Sequence, residues 1–340
     1  MTYKTLKIYT LLLALLCVVA MGITACVQFP ALGGGETRSI GTSTMLTSAA
    51  TNSSLGPRRT QTLYHAMDKE TLWGPIQAHL QLTATDEKQP AVQEQIHWFA
   101  KNPAYLNDAV SRAVPYIHYV YTQVVKRNLP AELVLLPIIE SAYNPSATNA
   151  SSGAAGLWQL MSSTARGYGV HQDRAFDGRH DLYSSTNAAL NYLTYLKSFF
   201  GGDWLLAIAA YDTGEGNVQN AIRHNAQHDR NTHFWALPLV LETRCYIPRL
   251  LALAAIVRNP EKYGITLPAI SAKPYLAVVD VGSKKMSLRY VAKLAGVNLA
   301  KLKQLNPGIK NISAPLTQSQ FALPIDRVAL YQKQLAILSS

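Results

Sequence analysis

Six apolar residues between positions 106 and 124 (Leu106, Val110, Ala113, Ile117, Val120 and Val124) follow one another at spacings of four, three, four, three and four. That is the period of one helical face, and a strand, whose side chains alternate, cannot produce it. Pro115 should kink the helix. Asn128-Leu129-Pro130 then ends it and opens the next, with Pro130 in a first turn where its missing N–H costs nothing. A second stripe, Ala189, Leu193, Leu196 and Phe200, follows Asp181 and Ser184 as candidate caps. Trp204, Ile208 and Tyr211 share a face of the next helix, and residues 236–257 predict a mostly apolar helix carrying Pro248. Strand-like alternation is scarce from 63 to 265. The expectation there is one large, mainly α domain.

After Tyr263-Gly264 the pattern changes. Pro268 and Pro274 punctuate a linker, Leu276–Val281 and Phe321–Pro324 read as short strands, and Ser287–Ala295 and Leu299–Leu305 as short helices. Two strands flanking two helices predict a small α+β module over residues 274–326. The hydrophobic fraction of 48% is ample for both cores and excludes wholesale disorder.

The beginning of the chain sets the compartment. Lys4 and Lys7 precede an apolar run from Tyr9 to Ile23, closed by Ile23-Thr24-Ala25-Cys26. A basic start, a short apolar stretch and small residues at its end predict a secretory signal over residues 1–25, with an uncleaved membrane anchor as the alternative. The cysteine after the small residues resembles the lipobox of bacterial lipoproteins, in which lipidated Cys26 becomes the new N-terminus. Val27, where Asp would retain such a protein at the inner membrane, then implies the periplasmic side of the outer membrane. Cys17 would leave with the signal and Cys26 carry lipid, so that of three cysteines only Cys245 would remain as a thiol. Residues 26–62, rich in Gly, Ser and Thr, predict a flexible tether. A net charge of +11 points to an anionic neighbour. Dispersed basic residues without aromatic interleaving argue against nucleic acid.

The chemistry concentrates near the middle of the chain. Glu140 closes seven successive apolar residues, Leu133 to Ile139, and a carboxyl so placed should be desolvated and keep its proton near neutrality. A protonated carboxyl is what glycosidic cleavage needs as proton donor; the competing reading is a solvated glutamate at a helix end. Downstream lie Gly153-Ala154-Ala155-Gly156-Leu157-Trp158-Gln159-Leu160-Met161, then Ala210-Tyr211-Asp212-Thr213-Gly214, then Glu242-Thr243-Arg244-Cys245-Tyr246. Small residues that permit close backbone approach, beside an amide, a tryptophan and tyrosines, suit a sugar site, where aromatic faces stack on pyranose rings.

These four motifs in this order resemble the Slt-type lytic transglycosylases, goose-lysozyme-like enzymes that cleave peptidoglycan, and the resemblance runs over roughly residues 65–325. It implies a lysozyme-like fold for 63–265 and no cofactor or metal, with peptidoglycan glycan strands and, through the lipid, a membrane as partners. It implies that Glu140 acts as acid and then base at the MurNAc–GlcNAc β-1,4 bond, the C6 hydroxyl closing a 1,6-anhydro ring. Tyr211 would contact the N-acetyl group, Gln159 and Met161 would line the cleft, and Glu242 would brace the site from beneath. A serine that bonds the catalytic carboxyl falls, by spacing, among Asn149, Ala150, Ser151 and Ser152; Ser151 is the expected one. Asp212 stands where relatives commonly carry Asn, and its charge would either raise Glu140 or face arginine or solvent. The open alternatives are a hydrolytic muramidase and a non-catalytic wall-binding lipoprotein.

Val279-Asp280-Val281-Gly282, Val291-Ala292, Gly296-Val297, Leu305-Asn306-Pro307-Gly308 and Leu323-Pro324 are similar to a LysM repeat, which implies binding of GlcNAc-containing glycan. Ser283-Lys284 replaces the usual Asp-Thr, so a purely structural appendage stays open. His224, His228 and His233 are expected in a solvated stretch, and Asp173, Asp177 and Asp181 lack the other residues of a calcium loop.

Overall fold

The computed structural model describes residues 71–82, 85–281, 285–318 and 320–338. The signal, Cys26 and the tether lie outside the described residues. None of the helices among those residues is long and apolar enough to cross a membrane.

The expected stripe is present, cut in two. Helices α1 (Trp73–Ala78) and α2 (Pro90–Lys101) precede α3 (Pro103–Ala113) and α4 (Ile117–Lys126), and the break between the last two falls at Pro115. All six stripe residues are buried. A 3-10 segment (Ala131–Leu135) runs into α5 (Leu136–Ser141), followed by a long loop and α6 (Ser162–Gly167). Helix α7 (Leu182–Phe199) is capped by Asp181, whose carboxylate accepts the Ser184 N–H at 2.9 Å. Ser184 is thus the cap's partner. Helices α8 (Trp204–Thr213) and α9 (Glu215–Ala226) lead to α10 (Leu241–Arg258).

Helix α10 is the axis of the domain. From Cys245 to Val257 its side chains are buried all round, Pro248 included, as befits a helix with no polar face. It begins at Leu241, later than residue 236, because Phe234–Ala236 forms a separate 3-10 turn. It packs against α2, α5, α8 and the 3-10 segment.

The module adds β1 (Leu276–Asp280), α11 (Leu288–Ala295), α12 (Leu299–Leu305), β2 (Gln320–Pro324) and α13 (Val328–Ile337). The strands pair antiparallel, Leu276 opposite Pro324 and Asp280 opposite Gln320. Helix α13, on which the sequence reading placed nothing, packs on α11 and buries Tyr331 against Phe321. The connector between domain and module is not loose. Ile270 is buried and its carbonyl accepts the Leu72 N–H at 2.8 Å, while the Pro268 carbonyl accepts the Trp73 indole N–H at 2.8 Å.

Candidate active site

Helix α5 ends at Glu140-Ser141, and the chain turns there through two consecutive left-handed residues, Ala142 (φ 48°) and Tyr143 (φ 57°). Neither is glycine, so the turn is strained and must be held from outside. The Tyr143 ring is fully buried and its hydroxyl donates to the Val134 carbonyl at 2.8 Å; the Arg112 guanidinium donates to the Ala142 carbonyl at 2.8 Å. The turn fixes where the Glu140 carboxyl points.

That carboxyl meets α10 and α8. The Tyr246 hydroxyl donates to Glu140 Oε1. Burial pushes the Glu140 carboxyl up from its ordinary 4.5 to about 8; Tyr246 opposes this, and the charges of Asp212 and Glu242 add to it. Asp212 is itself pushed up to about 6, by burial first and then by Glu242, against a hydrogen bond from the Thr243 side chain and the pull of Arg249. The phenols of Tyr211 and Tyr246 are raised by burial and then by Glu140, so both stay neutral. The result is a carboxylic acid that holds its proton at neutral pH, a donor aimed at its oxygen, and a second acidic group whose charge acts on it.

A fully buried second glutamate helps to interpret this. Glu132 opens the same apolar run with no exposure at all, and burial raises it too. Its oxygens, however, accept the N–H groups of Gln81 and Leu82 at 3.1 and 2.8 Å, and Arg258 stands at 3.9 Å. Glu132 ties the start of the domain to the end of α10, whereas Glu140 keeps a partly exposed side chain.

The loop from Asn149 to Leu160 carries the remaining motif. Ala155 and Leu160 exchange backbone hydrogen bonds at 3.2 and 3.1 Å, and Gly156 (φ 81°) packs so tightly that a Cβ there would stand 1.8 Å from the Arg179 carbonyl oxygen. Only glycine fits. Trp158 is fully buried, its indole N–H donating to Thr186 Oγ1 at 3.0 Å, so it is not the expected stacking face. Its backbone carbonyl instead accepts the Tyr211 hydroxyl at 2.7 Å. Exposed aromatic surface near Tyr211 comes from α7: Tyr192 lies 5.7 Å from the Tyr211 ring, and the exposed Tyr195 stacks on Tyr192 at 6.4 Å.

The expected site residues divide accordingly. Glu140, Tyr211 and Asp212 come together, and the Trp158 carbonyl links Gln159 to them. Gln159 (φ 44°) donates its amide N–H to the Gly156 carbonyl at 2.8 Å, and Met161 is exposed. Glu242 acts on the site through its charge and is exposed in the first turn of α10. Ser151 is exposed and donates to Asn149 Oδ1 at 2.7 Å. The hydroxyl on Glu140 belongs to Tyr246, 106 positions away in sequence; the Glu-Thr-Arg-Cys-Tyr motif contained it without revealing its role. Cys245, expected as a thiol, is buried on α10. Of the histidines, His224 sits on α9, with His228 bonding the His224 carbonyl just beyond it.

Comparison with known proteins places this geometry. The description "Transglycosylase SLT domain" matches residues 121–234, which hold Glu140, the glycine loop and Tyr211, and "Lytic transglycosylase MltD, LysM-like domain" matches 275–340. An Alteromonas protein named for tributyltin chloride resistance is 40% identical over 171 residues, covering 50% of this chain and 80% of that protein. The chain belongs to the SLT transglycosylase family. Membrane-bound lytic murein transglycosylase D of Escherichia coli is 42% identical over 252 residues, covering 74% of this chain and 55% of that relative. The chain therefore spans little more than half the length of that SLT relative. The crystal structure of the 70 kDa soluble lytic transglycosylase of E. coli superposes with a TM-score of 0.32 at 18% identity, covering 63% of this chain and 46% of that one, a likeness too distant to bear on the argument.

Proposed function

We propose that the chain is a peptidoglycan lytic transglycosylase that cleaves the MurNAc–GlcNAc β-1,4 bond and leaves a 1,6-anhydro-MurNAc end. The observation that carries the reading is Glu140, held protonated by burial and bonded to Tyr246. The neutral carboxyl gives its proton to the bridging oxygen as the C1–O bond breaks. The Tyr246 O–H stabilises the carboxylate that results. Glu140 then takes the proton of the C6 hydroxyl as that oxygen bonds C1, which restores the acid and consumes no water. The attacking group is already on the sugar, which supplies a high effective concentration.

The other residues follow from their hydrogen-bonding capacity. The Tyr211 hydroxyl has spent its proton on the Trp158 carbonyl, so toward substrate it can only accept, as from an N-acetyl N–H. Gln159 spends an amide proton on Gly156 and keeps its oxygen as an acceptor in the cleft beside Met161. Glu242 contributes its negative charge at the rim.

The test is mass spectrometry of murein digested by the purified protein. Anhydro-ended products are expected, and reducing ends without them would reject the lyase. A hydrolytic muramidase is the second reading, favoured by one observation: Asp212 is a second acidic group acting on Glu140, as glycosidases with two carboxyls require. Attachment is proposed through lipidated Cys26, at the periplasmic side of the outer membrane. Cys26→Ser should shift the protein from membrane to soluble fractions, and unchanged fractionation would count against a lipid anchor.

A further inference from the structure

The domain and the module share their cores. Phe176, from the loop that leads to α7, is 3% exposed and lies in the module's apolar cluster with Val279, Val291, Ile309 and Phe321. Leu276, Leu305 and Ala322 of the module belong in turn to the core of the large domain. Phe176 sits near the tip of a short hairpin. Asp173 N–H bonds the Phe176 carbonyl at 2.7 Å, and Gly178 N–H bonds the His171 carbonyl at 2.9 Å. The tip is gripped by the module's Asn-Pro-Gly turn, the Asp177 N–H donating to the Gly308 carbonyl at 2.9 Å and the Lys310 N–H to the Ala175 carbonyl at 2.7 Å. A Cβ at Gly308 would lie 2.8 Å from the Asp177 carbonyl oxygen.

The base of the same hairpin holds the active-site loops. Arg179 pairs with Asp177 at 2.9 Å and donates from Nη1 to the Gly153 carbonyl at 2.7 Å. Against the burial that would raise it, this guanidinium keeps the Asp177 carboxyl below its ordinary value, so the pair is charged. His180 bonds the Pro145 carbonyl at 2.8 Å, on the stretch that leaves Glu140, and the Arg179 carbonyl is the surface against which Gly156 packs. Continuous contact thus runs from Gly308 through Asp177 and Arg179 to Gly153 and Gly156, and so to the loop of Gln159 and the Trp158 carbonyl.

We infer that the C-terminal module positions the substrate loop, with Phe176 and Arg179 as positioning residues in a strut between Gly308 and Gly156. The edge of the module that carries Asn306-Pro307-Gly308 is committed to this contact. The kinetic consequence rests on the function proposed above; the structural one does not. A misplacement of about an ångström, transmitted to a binding loop, costs up to about 100-fold in rate.

The test uses the full chain with Phe176→Ala and Gly308→Val combined, which removes the key and obstructs its seat. Amide hydrogen exchange at Asp177 and Lys310 should rise, as the contact opens. Exchange at Ala155 and Leu160 should rise with it, while amides of α10 stay protected. With murein, kcat/KM should fall at least tenfold, whereas an added Tyr195→Ala change, remote from the strut, leaves the exchange pattern as it is. Faster exchange at Asp177 and Lys310 with unchanged exchange at Ala155 and Leu160 overturns the inference, as does an opening that leaves kcat/KM unaltered. Wild-type protein that cleaves no murein would sink the proposed function, and the exchange comparison would still decide on the strut.

Discussion

Keeping Glu140 protonated should cost the fold stability, and the cost can be measured. In the unfolded chain the side chain titrates at its ordinary 4.5; in the folded protein it titrates at about 8. Between those two values the folded state binds the proton and the unfolded state does not, so stability falls as pH rises through that window and levels off above it. Each tenfold of difference in proton affinity is worth about 1.4 kcal/mol, which gives an upper bound of about 3 kcal/mol at pH 7. Solvent reaching the partly exposed side chain reduces this to roughly 1–3 kcal/mol. Glu140→Gln keeps the shape and an oxygen for the Tyr246 hydroxyl, and removes the titration. Urea unfolding of both proteins should give equal stabilities near pH 4.5, and the variant should lead by about 1–3 kcal/mol near pH 7 while cleaving no murein. Asp212 is present in both, so the difference isolates Glu140. A gap that does not widen with pH would refute the reasoning.

Other variants probe the neighbours. Tyr246→Phe removes the donor that favours the ionised carboxyl, so Glu140 should rise further; the alkaline limb of the pH–rate profile should move up and kcat should drop about tenfold. Asp212→Asn removes a charge that disfavours ionisation, so the same limb should move down, and a profile that stays put would show that the charge is not felt. Gly156→Ala combines a left-handed backbone with a collision against the Arg179 carbonyl. It should destabilise the protein by about 2–4 kcal/mol in denaturant unfolding.

What could be read from the sequence was local. The stripe from Leu106 to Val124 and the cap at Asp181 depend on residues within one or two turns, and both appear in the structure. Which glutamate is available for chemistry was less plain, because Glu132 and Glu140 bound the same apolar run. What separates them is a pair of N–H groups from Gln81 and Leu82, some fifty positions away. Trp158 looked like a stacking platform because composition says which residue types are near, not which way a ring faces. Tyr246 reaches Glu140 only once α10 is threaded through the core, and Phe176 leaves its own domain for another's interior. No periodicity signals either contact.

The shared cores have a practical outcome. Because Phe176 of the domain is seated in the module's core, and Leu276, Leu305 and Ala322 of the module in the domain's, a protease nick near residue 272 would separate the chain covalently but not physically. The two fragments should co-elute from a sizing column until denaturant is added, so a gel showing two bands would describe an intact particle.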